Sequence, residues 1–230
     1  MAKKKDKAED RIEAVEQALS KSEQFIERNQ KIITYLVGGL ILVVLLFFGY
    51  RKYIHQPKET AALKALFKAE YYFEQDSLHL ALFGDGESYG FIDVIDDYGS
   101  TKAGNLARYY AGVCYMDQGD YENALRHFRK FKSRDVIVSA MAYGAMGDAY
   151  MQLGEFRKAT DHYLKAAGRN KNDFTSPPFL LKAGWAYEAR NSYREALEVY
   201  EQLRTQFPKS REARDIDRYI ARAKAELGEL

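Results

Sequence analysis

The chain has 230 residues, a formal net charge of +2 and a mean hydropathy of −0.48. Lys and Arg (35) nearly balance Asp and Glu (33), so there is no broad basic field of the kind that holds a nucleic acid. A single cysteine, Cys114, excludes an intramolecular disulfide, and 18 Tyr against 4 Pro fits a helical domain with aromatic knobs better than a turn-rich sandwich.

Residues 1–31 form a basic, polar tail with eight Lys or Arg. From Glu9 to Gln30, apolar positions Ile12, Val15, Leu19 and Ile26 recur at helical spacing with Ser22 in the same seam and Phe25 beside it. The pattern fits a short coiled coil or an amphipathic surface helix, and equally a solvated helix leading into the next segment.

Residues 32–50 read IITYLVGGLILVVLLFFGY, nineteen residues without a charge between Lys31 and Arg51-Lys52. As a helix this stretch is about 28 Å long, close to the roughly 30 Å hydrocarbon thickness of a bilayer. Its thirteen Leu, Ile, Val and Phe residues favour insertion by roughly 4–8 kcal/mol. The apolar surface runs all round the helix, whereas a helix of a globular domain keeps a polar face. No small-residue cleavage site follows it, so the reading is an uncleaved signal anchor. Arg51, Lys52, Lys58, Lys64 and Lys68 on one side balance the lysines and arginines of the tail on the other, and the flanking charges leave orientation open.

Residues 51–102 read as a linker and a degenerate helical pair. ETAALKALFKAEYYFEQ (59–75) and YGFIDVIDDYGST (89–101) are the expected helices, DSLHLALFGDGES is an inserted loop, and Pro57 is the expected break between anchor and domain. GDGES at 84–88 lacks the Gly-Lys-Ser/Thr of a phosphate loop.

Residues 103–209 repeat with periods of 35 and 37. Gly-x-x-Tyr occurs at Gly112/Tyr115, Gly147/Tyr150 and Gly184/Tyr187. A small residue follows nine positions later (Ala124, Ala159, Ala196), and an aromatic four after that (Phe128, Tyr163, Tyr200). Gly119-Asp120-Tyr121, Gly154-Glu155-Phe156 and Asn191-Ser192-Tyr193 mark the turn inside each helix pair. The two extra residues of the longer period are expected at Pro177-Pro178. Close packing of paired helices explains the spacing: glycine lets the second backbone approach, alanine fits against it, and the aromatics fill the space between successive pairs.

These residues resemble the tetratricopeptide repeat, whose pattern is W-x-x-L-G-x-x-Y, A-x-x-x-F and a closing proline. The tryptophan position holds Arg108, Tyr143 and Leu180, and the closing proline occurs once, as Pro208. The resemblance implies an all-α solenoid with a concave groove lined by the first helix of each pair. Carried over position by position, the protein-binding groove presents Tyr109, Val113, Met116 and Asp117, then Asp148, Met151 and Gln152, then Leu181, Lys182, Trp185 and Glu188. It is an apolar, methionine-bearing face, suited to adaptable contacts with apolar segments. The alternative is that this face is covered by the chain itself, through the last helix or the 77–88 segment. Residues 210–230 place Ala213, Ile216, Tyr219, Ile220, Ala223 and Leu227 on one face and read as a helix that closes the solenoid, with Ser210 as its N-cap.

No catalytic, cofactor-binding or metal-binding constellation stands out. His127 and His162 share one repeat position, expected on the convex surface, and Cys114 lies among apolar neighbours as an inert thiol. The order of basic tail, uncleaved span and short repeat domain is similar to the YfgM-like family of ancillary Sec translocon subunits, most clearly in YGSTKAGNLARYYAGVCYMDQGDYENAL (98–125). That resemblance implies a single-pass protein of the bacterial inner membrane, with a cytoplasmic N-terminus and a periplasmic domain. Its implied partners are the translocon, a periplasmic chaperone or isomerase, and client polypeptides. The alternatives are a scaffold for envelope-assembly or cell-division machinery and, less in keeping with the residues, an enzyme accessory.

Overall fold

The computed structural model describes the backbone of residues 2–229 and the side chains of residue 25 and residues 27–229. The seam positions Ile12, Val15, Leu19, Ser22 and Ile26 therefore lie outside the described side chains. The described chain is all helical, without a strand, and divides into two compact units, residues 1–57 and 58–230.

In the first unit, α1 (Ala2–Tyr50) is followed directly by a π-helical turn, Arg51–His55. The helix Glu27–Glu74 holds a stretch long and apolar enough to cross a membrane, and none of that stretch is buried. Leu36, Leu40 and Leu46 stay 68%, 65% and 64% exposed. Thr34 donates its hydroxyl to the Gln30 carbonyl (2.8 Å), so this hydroxyl is satisfied within the helix.

Pro57 is the last residue of the first unit, as expected of the break between anchor and domain, and the backbone is helical there: α2 (Gln56–Glu74) begins one residue before it. A proline is tolerated in a first helical turn, where its missing N–H has little to lose. The widened turn just before it, in which the Gln56 N–H reaches back to the Arg51 carbonyl, is the local adjustment that keeps the backbone helical.

The second unit is a stack of helix pairs. The 77–88 segment is not a plain loop: α3 (Leu78–Phe83) forms within it and buries Ala81 and Leu82. α4 (Phe91–Tyr98) then packs on α5 (Lys102–Asp117). Ala62, Leu66 and Ala69 of α2 join Leu82, Phe91, Val94 and Cys114 in one core cluster. Glu59 ties α2 to the start of α5, its carboxylate accepting from the Lys102 (2.8 Å) and Ala103 (3.0 Å) N–H groups. These are free donors at a helix N-terminus, where a negative charge is also favoured by the dipole.

The three repeats are α5 with α6 (Tyr121–Lys130), α7 (Val136–Gln152) with α8 (Phe156–Gly168), and α9 (Ser176–Glu188) with α10 (Tyr193–Gln206). Their second core cluster runs from Ala124 to Ala223 and includes all three small-residue positions, Ala124, Ala159 and Ala196, each fully buried. Asp120 caps α6 through the Asn123 N–H (3.1 Å), and Asp135 caps α7 through the Ile137 and Val138 N–H groups (2.9 Å). At the turns, Gly119 (φ 78°), Gly154 (φ 71°) and Asn191 (φ 60°) adopt the left-handed conformation that ends one helix and redirects the chain.

Two expectations are corrected here. The extra residues of the longer period lie not at the prolines but in the connection, which has five residues after α6 (131–135) and seven after α8 (169–175). Pro177 and Pro178 sit inside the first turn of α9, where proline is well placed. Ser210 does not cap the last helix. Its hydroxyl accepts from the Ala213 N–H (3.2 Å) within a turn, and α11 starts later, at Ile216–Glu226. α11 packs on α10 and buries Ile216, Ile220 and Ala223, supplying the neighbour that the last repeat otherwise lacks.

Candidate protein-binding face

The repeat glycines set how closely each pair packs. A Cβ on Gly112 would come within 2.6 Å of the Phe128 ring, and one on Gly147 within 2.6 Å of the Tyr163 ring. One on Gly184 would strike Tyr200. The glycine therefore makes room for the aromatic of its own pair's second helix, not for backbone, and the aromatics fill each pair rather than only the gaps between pairs. Gly144 is the place where one repeat admits the next: a Cβ there would strike Phe179 of α9.

With this register, eight of the eleven face residues separate into three kinds. Tyr109, Val113, Met116, Met151 and Leu181 are half-buried and pack against the repeat core. Tyr109 lies edge-on to Phe128 (5.8 Å) and near Phe131 (5.3 Å), its ring held by its own repeat. Asp148 and Glu188 are ion-paired. The Asp148 carboxylate accepts from Lys182 Nζ (2.7 and 2.9 Å) and from the Tyr163 hydroxyl (2.7 Å), joining α7, α8 and α9. Glu188 receives both arms of the Arg222 guanidinium from α11, Nε at 3.1 Å. Trp185, 38% exposed, is the third kind: its ring stands 6.2 Å from Tyr219 of α11.

The face is thus partly engaged by its own chain at the α9–α11 end, and two of its acids, Asp148 and Glu188, are ion-paired while Asp117 is exposed. The surface it leaves half-exposed is the apolar one of Val113, Met116, Met151 and Leu181, with Trp185 at one edge. α3 of the 77–88 segment packs with Ala103, Ala107, Ala111 and Cys114 of α5, in a core cluster other than the one that holds Tyr109, Val113 and Met116. Sequence reasoning placed Tyr219 on the apolar face of the last helix without its contact to Trp185, and left out Arg222. Their signal was available as an aromatic and a cation three apart on the last helix, but their target is visible only in three dimensions.

The histidines do not sit on an open convex surface. His127 stacks on Tyr115 (5.4 Å) and His162 leans on Tyr150 (5.1 Å), each half-buried against the Gly-x-x-Tyr tyrosine of its repeat. Burial, with Lys130 and Arg126 beside His127 and Lys165 beside His162, lowers both imidazole pKa values. His162 Nδ1–H donates to the Lys158 carbonyl (2.9 Å), which opposes that lowering. Burial pushes the Cys114 thiol up to about 12, far from a thiolate nucleophile. Among the described residues, no group of three or more His, Cys, Asp or Glu is placed to hold a metal ion. Arg108, where the repeat pattern has tryptophan, donates to the Gly99 carbonyl (2.9 Å) and fastens the end of α4 to α5.

Two tetratricopeptide-repeat profiles match the chain, one over residues 106–135 and 179–210, the other over 140–173. Among solved structures, the MamA protein superposes with a TM-score of 0.57 at 19% identity, covering 75% of this chain and 84% of that one. The nearly identical TPR-like repeats of a Podosopora anserina kinesin light chain superpose with a TM-score of 0.56 at 13% identity, over 74% of this chain and 89% of that one. At these identities the likeness is one of fold. No curated protein matches the chain in sequence. The chain is an all-helical protein carrying tetratricopeptide repeats, a scaffold of the protein–protein interaction kind.

Proposed function

We propose that this chain is a membrane-anchored, non-enzymatic adaptor of the bacterial inner membrane. In this reading residues 32–50 span the bilayer, residues 1–31 are cytoplasmic, and the repeats and their closing helix lie in the periplasm. There the chain serves as an accessory subunit of the Sec translocon, beside a periplasmic chaperone or isomerase, and assists emerging secretory and envelope proteins.

The observation that carries the reading is the pairing of two surfaces in one chain. One is an apolar helix with none of its spanning stretch buried, which only a bilayer or another apolar partner can cover. The other is a repeat domain whose Val113, Met116, Met151 and Leu181 remain half-exposed. The resemblance of residues 98–125 to the YfgM-like family points the adaptor to the translocon.

Two measurements test it. Protease added outside intact spheroplasts should digest the 58–230 unit; protection of that unit would end the translocon-exit reading. Photo-cross-linkers at Met151 and Trp185, used in intact membranes, should capture translocon subunits and a periplasmic chaperone. Capture of division or envelope-assembly machinery in their place would transfer the adaptor to that system.

A further inference from the structure

Among the described residues, a group of cations without ion-pair partners lies away from the Met151–Trp185 face. Between the first and second repeats, a cleft of about 340 Å³ opens among α6, α7, α8 and the 131–135 connection. Its floor is apolar: Phe128, Ala142 and Met146 are 1%, 5% and 6% exposed, with Tyr143 half-buried beside them. Its rim carries Arg129, Lys132 and Arg169, all exposed, and no acidic residue lines it. A shallower hollow of about 540 Å³ shares Arg129 and Lys132 with it and adds Arg108 and Lys130, again with no acidic lining. Among the described residues, none of these five cations has a carboxylate at ion-pair distance.

The site is held in place before any partner arrives. Asn105 and Lys132 exchange two hydrogen bonds, the Asn105 amide donating to the Lys132 carbonyl (2.8 Å) and the Lys132 N–H donating back (3.0 Å). That pair fixes the connection that forms one wall. Arg169 Nε donates to Ser139 Oγ (2.9 Å), and Arg129 donates to the Tyr150 hydroxyl, so both guanidiniums are positioned while keeping donors free. Arg108 Nε is buried without a hydrogen-bond partner. Like charges held together cost energy unless an anion joins them, and arginine suits planar carboxylates.

The geometry points to a second docking site, in which this cleft takes an acidic peptide segment, a carboxylate on the Arg129–Lys132–Arg169 rim and a neighbouring apolar side chain on the Phe128–Met146 floor. A recessed apolar floor favours a peptide over an anionic lipid surface, because a flat bilayer meets protruding cations and leaves a hollow empty. The site is separate from the Met151–Trp185 face and does not depend on what that face binds.

The test uses the full chain in phosphatidylcholine nanodiscs and fluorescence anisotropy of a labelled peptide with alternating Glu and Leu, alongside its Gln-for-Glu counterpart. The acidic peptide should bind and weaken as salt is raised, and the Gln peptide should not. The double variant Lys132→Glu/Arg169→Glu, at two exposed positions, should lower affinity at least about tenfold. The double variant Lys64→Glu/Lys68→Glu carries the same charge change on α2 and should bind like the parent. Equal loss in both double variants would reduce the effect to net charge and overturn the site. So would tighter binding to phosphatidylserine vesicles through Lys132 and Arg169, competition by inorganic phosphate alone, or no difference between the two peptides.

Discussion

At the scale of single residues, packing and propensity can be set against each other. Gly147 lies inside α7, where alanine would favour the helix by about 1 kcal/mol. The added Cβ would approach the Tyr163 ring to 2.6 Å, and that ring is anchored by its hydroxyl on Asp148 (2.7 Å). Overpacking of about 1–3 kcal/mol therefore wins, and Gly147→Ala should lower stability in chemical denaturation. Gly168→Ala, with nothing within 4 Å of its added carbon, should be neutral or slightly stabilising. The aromatic position offers a second contrast. Tyr163 donates to a carboxylate, so Tyr163→Phe should cost about 1–2 kcal/mol. The Tyr200 hydroxyl is buried beside the Glu188–Arg222 pair without a well-aligned bond to either, and Tyr200→Phe should cost close to nothing. Equal losses in the two variants would place a real hydrogen bond on Tyr200.

At the scale of the helix pair, the second helix carries a charge-sensitive joint. His127 and His162 lie against Tyr115 and Tyr150, and both have pKa values below the ordinary 6.5. A group whose folded pKa is lowered contributes stability that is complete above the unfolded value and is lost as pH falls below it. Melting temperature should therefore decline between about pH 7 and 5.5, before most carboxylates titrate. The double variant His127→Gln/His162→Gln should flatten that decline; an unchanged slope would show that other groups set it. The third repeat has Val199 in this position and needs no such protection. The pairs were legible from the turn residues and the Gly–Tyr–Ala–aromatic spacing, because left-handed turns and close crossings admit few residue types. The histidines were not, because a three-residue offset from a small residue does not say whether a side chain rolls toward its own pair or out to solvent.

At the scale of the whole chain, function depends on surfaces that remain unsatisfied after folding. Trp185→Glu with Met151→Glu should abolish partner capture by the helix face. The melting temperature should change by only a few degrees, since Trp185 is 38% exposed and Met151 half-buried. A collapse of the fold would mean that α11 and the face form one structural unit through Trp185–Tyr219 and Glu188–Arg222. The candidate face was readable as a set of positions, because the repeat places every fourth or so residue of each first helix on one side. Its occupancy was not: Asp148 meets Lys182, 34 residues away, and Glu188 meets Arg222, also 34 away.

The sequence alone determined that the chain is helical, that it carries an uncharged nineteen-residue stretch apolar enough for a bilayer, and that three helix pairs repeat after it. Periodicity and composition act locally, and each of these features is complete within a few tens of residues. The tertiary structure decided what the spacing left open. It decided that the repeat glycines receive rings, that Pro57 sits in the first turn of a helix and that a short helix, 78–83, forms within the 77–88 segment. It also decided that Asp148 and Glu188 of the candidate face are already paired and that five cations gather without a carboxylate at ion-pair distance beside an apolar cleft. These depend on which distant side chains the stacking of repeats brings within a few ångströms, and no local pattern carries that distance.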